Sequence, residues 1–435
     1  MWAFLLHVYN RTLAMKKMIW IMNHYAGNMF LENGGRHYWF ATELKKRGYE
    51  PVVFCCNIDH ASGNLICADN KLWKECLTEN GIPFVFIRSS AYRGNGMKRI
   101  FNMLLFTINL VFVAKRYAKV NGRPDVILAS SVHPFTLLAG EYLAKKMKIS
   151  CVCEIRDLWP ESIVAHKVST TRNVFVRYLY KLEKRIYTKA DRLIFTMEGG
   201  REYIVEKGWS LGQGGKIDLN KVFHINNGVD LNLFKKNVGQ HQVIDEDLQK
   251  KDIFKVVYTG TIRKANQVEK LVQVAECLKQ KNEYKIKILI WGDGDRKEQI
   301  QKEINDKELD NIILKGKVSK NQIPYILSQS DLNVFILPNL PLYKYGISLN
   351  KMFEYFASGK PVLASGKPGY SIIDKYKCGK SLEAFDANKM ADEIVYFANM
   401  SDEKYNEYCN ASTRVAELYD YGELTNQLIS ILFGF

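Results

Sequence analysis

Between Tyr343 and Ser365 the chain reads YKYGISLNKMFEYFASGKPVLAS, a stretch whose residue types could hold a diphosphate. Ser348 is a helix-capping type, and the turn it would open offers unpaired amides and the positive end of a helix dipole to an anion. Lys351 falls in that first turn and brings a cation to the same place. Glu354, three residues on, shares the helix face; a carboxylate there repels phosphate but accepts hydrogen bonds from a ribose diol. The plain alternative is an ordinary amphipathic helix with an exposed Lys and Glu. A second candidate, His133, follows the apolar run 125–129 (DVILA) and so stands at a strand end that faces a ligand cleft, although a histidine there often serves structure alone.

Metal chemistry is not expected. Asp293-Gly294-Asp295 has the form of a metal-binding DxD but lies in a glycine turn ahead of a helix, and Cys151 and Cys153 alternate on a strand with no second pair at zinc spacing.

These residues need elements to position them. From Ile19 onward, short apolar runs rich in β-branched residues alternate with longer amphipathic stretches, the pattern of repeated βαβ units. Strands are predicted at 18–23, 50–55, 83–87, 125–129, 150–155 and 192–196, with a helix over 35–47 that Gly48 ends. One more strand at 222–229 runs into Asn226-Asn227-Gly228, and the polar stretch that follows reads as a linker. The pattern then restarts, with strands at 254–258, 285–291, 311–315, 331–337 and 361–364 and helices at 266–281, 295–307, 320–329 and 349–358. The fold class is therefore α/β, two Rossmann-like doubly wound parallel-sheet domains facing across a cleft lined by strand carboxyl ends. Boundaries are set at 18–237 for the first domain, 238–252 for the linker and 253–402 for the second, with 403–435 helical.

Size and charge agree with this division. A chain of 435 residues exceeds what one core supports, and 47% apolar residues can fill two. The formal charge of +16 draws anions: phosphates, nucleic acid or an acidic membrane leaflet. Nine scattered cysteines, an odd number, fit reduced thiols in a cytosol. Residues 1–17 hold an apolar patch broken by His7, Asn10 and Arg11, a poor signal peptide, with Met15 or Met18 as an alternative start. The segment 100–114, IFNMLLFTINLVFVA, is flanked by Lys98-Arg99 and Lys115-Arg116. It is too short to span a bilayer, which takes about 20 apolar residues, and reads either as an interfacial helix or as a buried helix of the first domain.

Six stretches together resemble glycosyltransferase family 4, and within it the branch of L-fucosamine transferases in capsule and O-antigen assembly. Gly346-Ile347-Ser348-Leu349-Asn350-Lys351-Met352-Phe353-Glu354-Tyr355 is similar to the family pattern GxSxNKxF(E/D)Y. Asn33-Gly34-Gly35-Arg36 looks like its glycine loop, Arg156-Asp157-Leu158-Trp159-Pro160-Glu161-Ser162 like an RDLWPES signature, and Asn227-Gly228-Val229-Asp230 like the NGVD turn that ends the first domain. Tyr258-Thr259-Gly260-Thr261-Ile262 and Trp291-Gly292-Asp293-Gly294 resemble the glycine turns of the second.

The resemblance implies a GT-B fold, a nucleotide-sugar donor (UDP favoured) held mainly by the second domain, retention of anomeric configuration, and no cofactor or metal at the reaction centre. It implies donor contacts at Gly34, Gly35, Gly292, Gly294 and the 346–350 backbone, and a place for His133 beside the donor sugar. Arg36, Arg156, Asp157 and Glu161 either touch the acceptor or brace the cleft through ion pairs. The last helix is implied to return to the first domain. Two departures matter. The family's first glutamate is replaced by Gly346, and its basic pair by Thr261 and Asn266, so Arg263, Lys264 and Lys351 are the cations left for the diphosphate.

The reading is a retaining glycosyltransferase of surface polysaccharide synthesis, peripheral on the inner face of the cytoplasmic membrane, with a polyprenyl-diphosphate-linked or oligosaccharide acceptor. The alternatives are a sugar-nucleotide epimerase of the same fold, an NAD enzyme, which lacks its GxGxxG, and a basic nucleic-acid-binding protein, for which no recognition module appears. Nothing in the sequence fixes the oligomeric state.

Overall fold

A computed structural model describes residues 16–434 apart from 61, 68–70, 93, 95 and 132, so the N-terminal patch expected to lie outside the fold falls beyond the described residues. The chain divides into two compact units. Unit 1 comprises the residues up to Thr196, Gly200–Ile225 and Thr425–Phe435; unit 2 comprises Met197–Gly199 and Asn226–Leu424.

Unit 1 is built on eight strands: β1 (Met18–Met22), β2 (Glu50–Cys56), β3 (Trp73–Leu77), β4 (Pro83–Ile87), β5 (Val126–Ser130), β6 (Ser150–Ile155), β7 (Arg192–Phe195) and β8 (Val222–His224). Their spatial order is β3-β4-β2-β1-β5-β6-β7-β8, parallel throughout except at β3. Central strands such as β5, buried at every residue, are covered on both faces by helices, which is why they read as unbroken apolar runs. The edge strand β3 was not expected. Its sequence WKECL has no buried residue and carries no core pattern to read.

The principal helices of this unit are α1 (Arg36–Lys46), α2 (Met97–Asn121), α3 (Pro134–Met147) and α4 (Val174–Lys189). The apolar segment expected at 100–114 is the middle of α2, which has 25 residues and is by length and composition alone long enough to cross a membrane. One face of it is core: Met103, Phe106, Leu110, Val113 and Tyr117 are buried, and Tyr117 packs edge-on against Trp20 and Phe54. Ile100, Phe101, Leu104, Ile108 and Phe112 on the other face are exposed. The helix is thus longer than the segment expected to be too short to span, and the buried reading holds for its inner face.

Unit 2 has six strands, all parallel: β9 (Phe254–Thr259), β10 (Ile286–Trp291), β11 (Ile312–Gly316), β12 (Leu332–Ile336), β13 (Val362–Ser365) and β14 (Gly379–Leu382), in the order β11-β10-β9-β12-β13-β14. Around them lie α5 (Leu231–Gln240), α6 (Lys270–Gln280), α7 (Asn350–Ala357) and α8 (Asp402–Leu418), while the last helix, α9 (Tyr421–Phe433), belongs to unit 1 from Thr425 onward. The expected boundaries shift. The change of unit comes at 225/226 and not at 237, and α5 belongs to unit 2. Much of the expected linker is anchored, because Lys315 pairs with Asp245 at 2.8 Å and with Asp247 at 2.6 Å. The tail from 403 onward is also divided: α8 stays with unit 2, where Ser412 donates to the carbonyl of Lys360, and only residues from Thr425 belong to unit 1.

Both sheets are doubly wound, so each has one point where the strand order reverses, between β1 and β5 in unit 1 and between β9 and β12 in unit 2. Ligands of open α/β sheets bind at the carboxyl ends of the strands flanking such a reversal.

Candidate functional site

At the reversal in unit 2, β9 ends in Tyr258-Thr259-Gly260, and the chain leaving β12 passes through residues 341–349 into α7. The two strand ends meet at Lys351. Its Nζ lies 4.1 Å over the ring of Tyr258 and donates to the Tyr258 hydroxyl at 2.8 Å, while that hydroxyl donates to the carbonyl of Thr261 at 3.0 Å. Gly260 is required beside it: with φ of 138° and a notional Cβ only 2.8 Å from Lys351 Nζ, a side chain there would displace the ammonium. Burial lowers Lys351 to a pKa of about 8, with Glu354 opposing the shift. The site holds a cation with little solvation and no carboxylate bonded to it, ready to gain from an anion.

The helix start is fixed from two sides. Tyr355, on the buried face of α7, accepts from the amide of Thr259 at 2.9 Å and locks the helix to the end of β9. Asn226 and Asn227 hold the residues that lead into it. Ser348 Oγ donates to Asn226 Oδ1 at 2.5 Å and accepts from the Asn227 amide at 3.1 Å, and Asn227 Nδ2 donates to the Ser348 carbonyl at 2.9 Å. Ser348 therefore does not cap the helix as expected. Leu349 occupies the cap position with no side-chain bond, leaving the amides of Asn350 and Lys351 without an intrahelical acceptor. Glu354 lies on the same helix and burial raises its pKa, with Lys320 and Lys351 pulling the other way.

The neighbouring glycines, expected at donor contacts, have a packing role. A Cβ on Gly292 would sit 1.9 Å from the Gly260 carbonyl oxygen, and one on Gly294 would sit 2.3 Å from that of Ile262. The loops after β9 and β10 lie against each other, joined by Ile262 N to Asp293 O at 2.9 Å, and only glycine permits that approach. Arg263 and Lys264 stand exposed on the first of these loops. Gly346, with φ of 100°, lies where Gly199 N donates to Tyr345 O at 2.9 Å. Beyond it is a recess of about 640 Å³ that includes Glu198, Tyr370 and Lys375. Its charges pair with one another, Lys375 with Glu198 at 3.1 Å and Lys367 with Glu383 at 3.3 Å, and it lies after β13 and not at the reversal. The reversal is the better candidate, because it has an unpaired cation and open helix amides.

The corresponding point in unit 1 is closed. His133 is fully buried, and its Nε2 lies 2.7 Å from Nδ1 of His24, whose ring stacks on Phe106 of α2 at 4.2 Å. Burial, with Arg99 nearby, pushes His133 down to a pKa of about 3, and His24 is also well below the usual range. His133, expected at a strand end facing a ligand cleft, is thus enclosed and uncharged, with its Nδ1 lacking a partner.

Arg36 is likewise not at the surface. Its Nε donates to Glu154 at 2.7 Å and an Nη to the Ile225 carbonyl at 2.9 Å, while His37 and Ser130 bond the other Glu154 oxygen at 2.8 and 2.7 Å. Burial alone would raise Glu154; Arg36 and His37 outweigh it and hold the carboxylate well below its usual range. Gly35, with φ of 101°, opens α1 next to this network, with Gly34 before it. Of the remaining candidates, Glu161 braces Lys207 at 2.5 Å and Tyr180 at 2.7 Å, Arg156 is half-buried with its amide on Ser131, and Asp157 is exposed. Tyr258, Tyr355, Asn226 and Asn227 were missed as site residues. Only the NGVD motif, which contains Asn227, carried a signal.

Comparison with known proteins agrees with the two-part architecture. Residues 38–233 match Glycosyltransferase Family 4, and residues 241–415 match Glycosyl transferases group 1. Poly(ribitol-phosphate) alpha-N-acetylglucosaminyltransferase of Staphylococcus aureus is 29% identical over 187 residues, 42% of this chain, and the match spans about a third of that longer protein, 34%. Sucrose-phosphate synthase of Thermosynechococcus elongatus superposes with a TM-score of 0.68 at 17% identity, over 96% of this chain and 98% of the other. The UDP-forming alpha,alpha-trehalose-phosphate synthase of Burkholderia vietnamiensis gives 0.70 at 13% identity, over 98% and 100%. HepE of Anabaena, solved with UDP and glucose, gives 0.62 at 16%, over 96% and 100%. With both halves matched in sequence and the whole chain matched in fold, this protein belongs to the glycosyltransferases of GT-B type, a family 4 region followed by a group 1 region.

Proposed function

We propose that this chain transfers a sugar from a nucleoside-diphosphate sugar, with UDP as the nucleotide, to a lipid-linked or saccharide acceptor with retention of anomeric configuration. The setting is surface polysaccharide assembly at the inner face of the cytoplasmic membrane, with the exposed side of α2 as the contact. The observation that carries the donor assignment is the unneutralised Lys351 ammonium beside the open amides of α7 at the strand reversal of unit 2. UDP is favoured because relatives of the same fold are a UDP-forming synthase and a transferase solved with UDP and glucose. The Staphylococcus aureus relative, whose name gives a poly(ribitol-phosphate) acceptor, supports a hydroxyl-bearing polymer as one form of the acceptor.

The bond from the anomeric carbon to the diphosphate oxygen breaks, and the negative charge that collects on the diphosphate is the main catalytic demand. Lys351 and the amides at 350–351 stabilise it, with Arg263 and Lys264 adding charge from the facing loop. Glu354 holds the ribose hydroxyls. The acceptor hydroxyl attacks from the face the diphosphate leaves, and its proton passes to the departing phosphate oxygen. His133, enclosed at the end of β5, is uncharged at neutral pH.

Thermal unfolding with a panel of nucleotide sugars tests this. A donor at about 100 times its Kd stabilises by about 2.7 kcal/mol, and Lys351→Met should abolish the response. If no nucleotide sugar raises the midpoint, the reading is lost. Product analysis separates transfer from epimerisation, because an epimerase alters the donor sugar with no acceptor present.

A further inference from the structure

The positive charge of this chain is concentrated on three helices. α2, α3 and α4 carry twelve Lys and Arg against two acids, Glu141 and Glu183, neither of them exposed, which is +10 of the formal +16. α2 packs on α3 and α3 on α4, so the three form one layer over the sheet of unit 1. The same layer holds much of the exposed apolar surface. Phe101, Leu104, Ile108 and Phe112 repeat at helical spacing along the outer side of α2, and Phe175 and Tyr178, 55% and 59% exposed, do so on the first turns of α4. Between them on α3, Tyr142 is exposed and takes a hydrogen bond from Lys115 of α2 at 3.0 Å.

We propose that this three-helix layer docks on an anionic phospholipid bilayer at two points, the α2 stripe and the start of α4, with the cations between them on lipid phosphates. The proposal rests on the α2 contact given above and extends it to a second anchor that fixes which face of unit 1 lies on the lipid. Aromatic and aliphatic side chains ringed by Lys and Arg match the headgroup and acyl boundary of an acidic leaflet. Nucleic acid would use the cations but leave the α2 stripe in water, and a second copy of the same face would meet it with like charge. A spanning α2 is disfavoured because its inner face is core, with Phe106 stacked on His24 and Tyr117 packed on Trp20.

The test is sedimentation of the full chain with vesicles of phosphatidylcholine alone or containing a third phosphatidylglycerol, with no donor or acceptor present. Wild type should bind the anionic vesicles and not the neutral ones, losing affinity steeply between 50 and 500 mM salt. Phe175→Ser with Tyr178→Ser, which leaves the α2 stripe whole, should weaken binding about tenfold, and Phe101→Ser with Ile108→Ser, which breaks the stripe, should do the same. All four positions are exposed, so unfolding midpoints should stay within a few degrees of wild type. If the α4 variant binds like wild type, the second anchor is refuted and the α2 contact survives. If wild type ignores anionic vesicles, or prefers a random RNA oligonucleotide to them, the membrane reading falls altogether.

Discussion

The two strand reversals of this molecule are filled in opposite ways. In unit 1 the ends of β1 and β5 are closed by His24 and His133, bonded to each other at 2.7 Å and capped by Phe106. Both imidazoles have lost their charge to burial. In unit 2 the end of β9 carries Gly260, whose missing side chain leaves room for a Lys ammonium from α7, and the hydrogen-bond partner of that ammonium is a neutral phenol. Unit 1 satisfies its buried carboxylate internally, through the Arg36, His37 and Ser130 bonds to Glu154, although His24 Nε2 and His133 Nδ1 are left without partners. Unit 2 leaves a cation short of an anion, and that deficit is what a diphosphate would relieve.

Substitutions should separate the two. The largest effect is expected at Glu154→Ala, which leaves Arg36 buried without its carboxylate. It should cost about 3–5 kcal/mol of stability, read as a lowered unfolding midpoint. Lys351→Met should behave in the reverse sense, with kcat/KM falling about 10²- to 10³-fold and the midpoint of the unliganded protein unchanged or raised. A comparable loss of stability at Lys351 would erase the contrast.

Proton linkage gives the next test. Lys351 has its folded pKa near 8, below the unfolded value of about 10.4, so the unfolded chain binds more protons between them and this residue adds stability as pH rises through that window. Donor binding needs the charged form and should weaken over the same range, up to about tenfold per pH unit. Opposite slopes for the unliganded midpoint and for donor affinity, both lost in Lys351→Met, would sharpen the assignment; parallel slopes would break it. The smallest effect is expected at Tyr258→Phe. It removes one hydrogen bond to Lys351, keeps the ring beneath it, and should raise the donor Kd by about fivefold, measured by calorimetry.

Much of the architecture could be read from residue order, because buried parallel strands write themselves as apolar runs. β5 and β9 were placed within a residue or so at each end. β3 was lost because an exposed edge strand carries no such run. The 238–252 linker was misplaced because charged residues look solvated until their partner is known, and Lys315 lies some seventy positions beyond Asp245. Lys351 and Glu354 fall on one helix, α7, as expected. Ser348 was read one step wrong: its hydroxyl is taken by Asn226 and Asn227, more than a hundred residues earlier, and no local pattern reports a bond of that span. Tyr258 and Tyr355 sit inside apolar stretches where a tyrosine reads as core, and their hydroxyl partners become visible only in three dimensions.

The way Ser348 and Tyr345 are held bears on any attempt to dissect this enzyme. Asn226 and Asn227 precede every strand of the second sheet, and Gly199, which bonds Tyr345, is an excursion from the middle of the first half of the chain. A fragment begun at the polar stretch near 240 would express a complete six-stranded sheet yet leave the approach to α7 untethered at both places. Its failure to bind donor would then report a missing splint, with Lys351 and every strand still present.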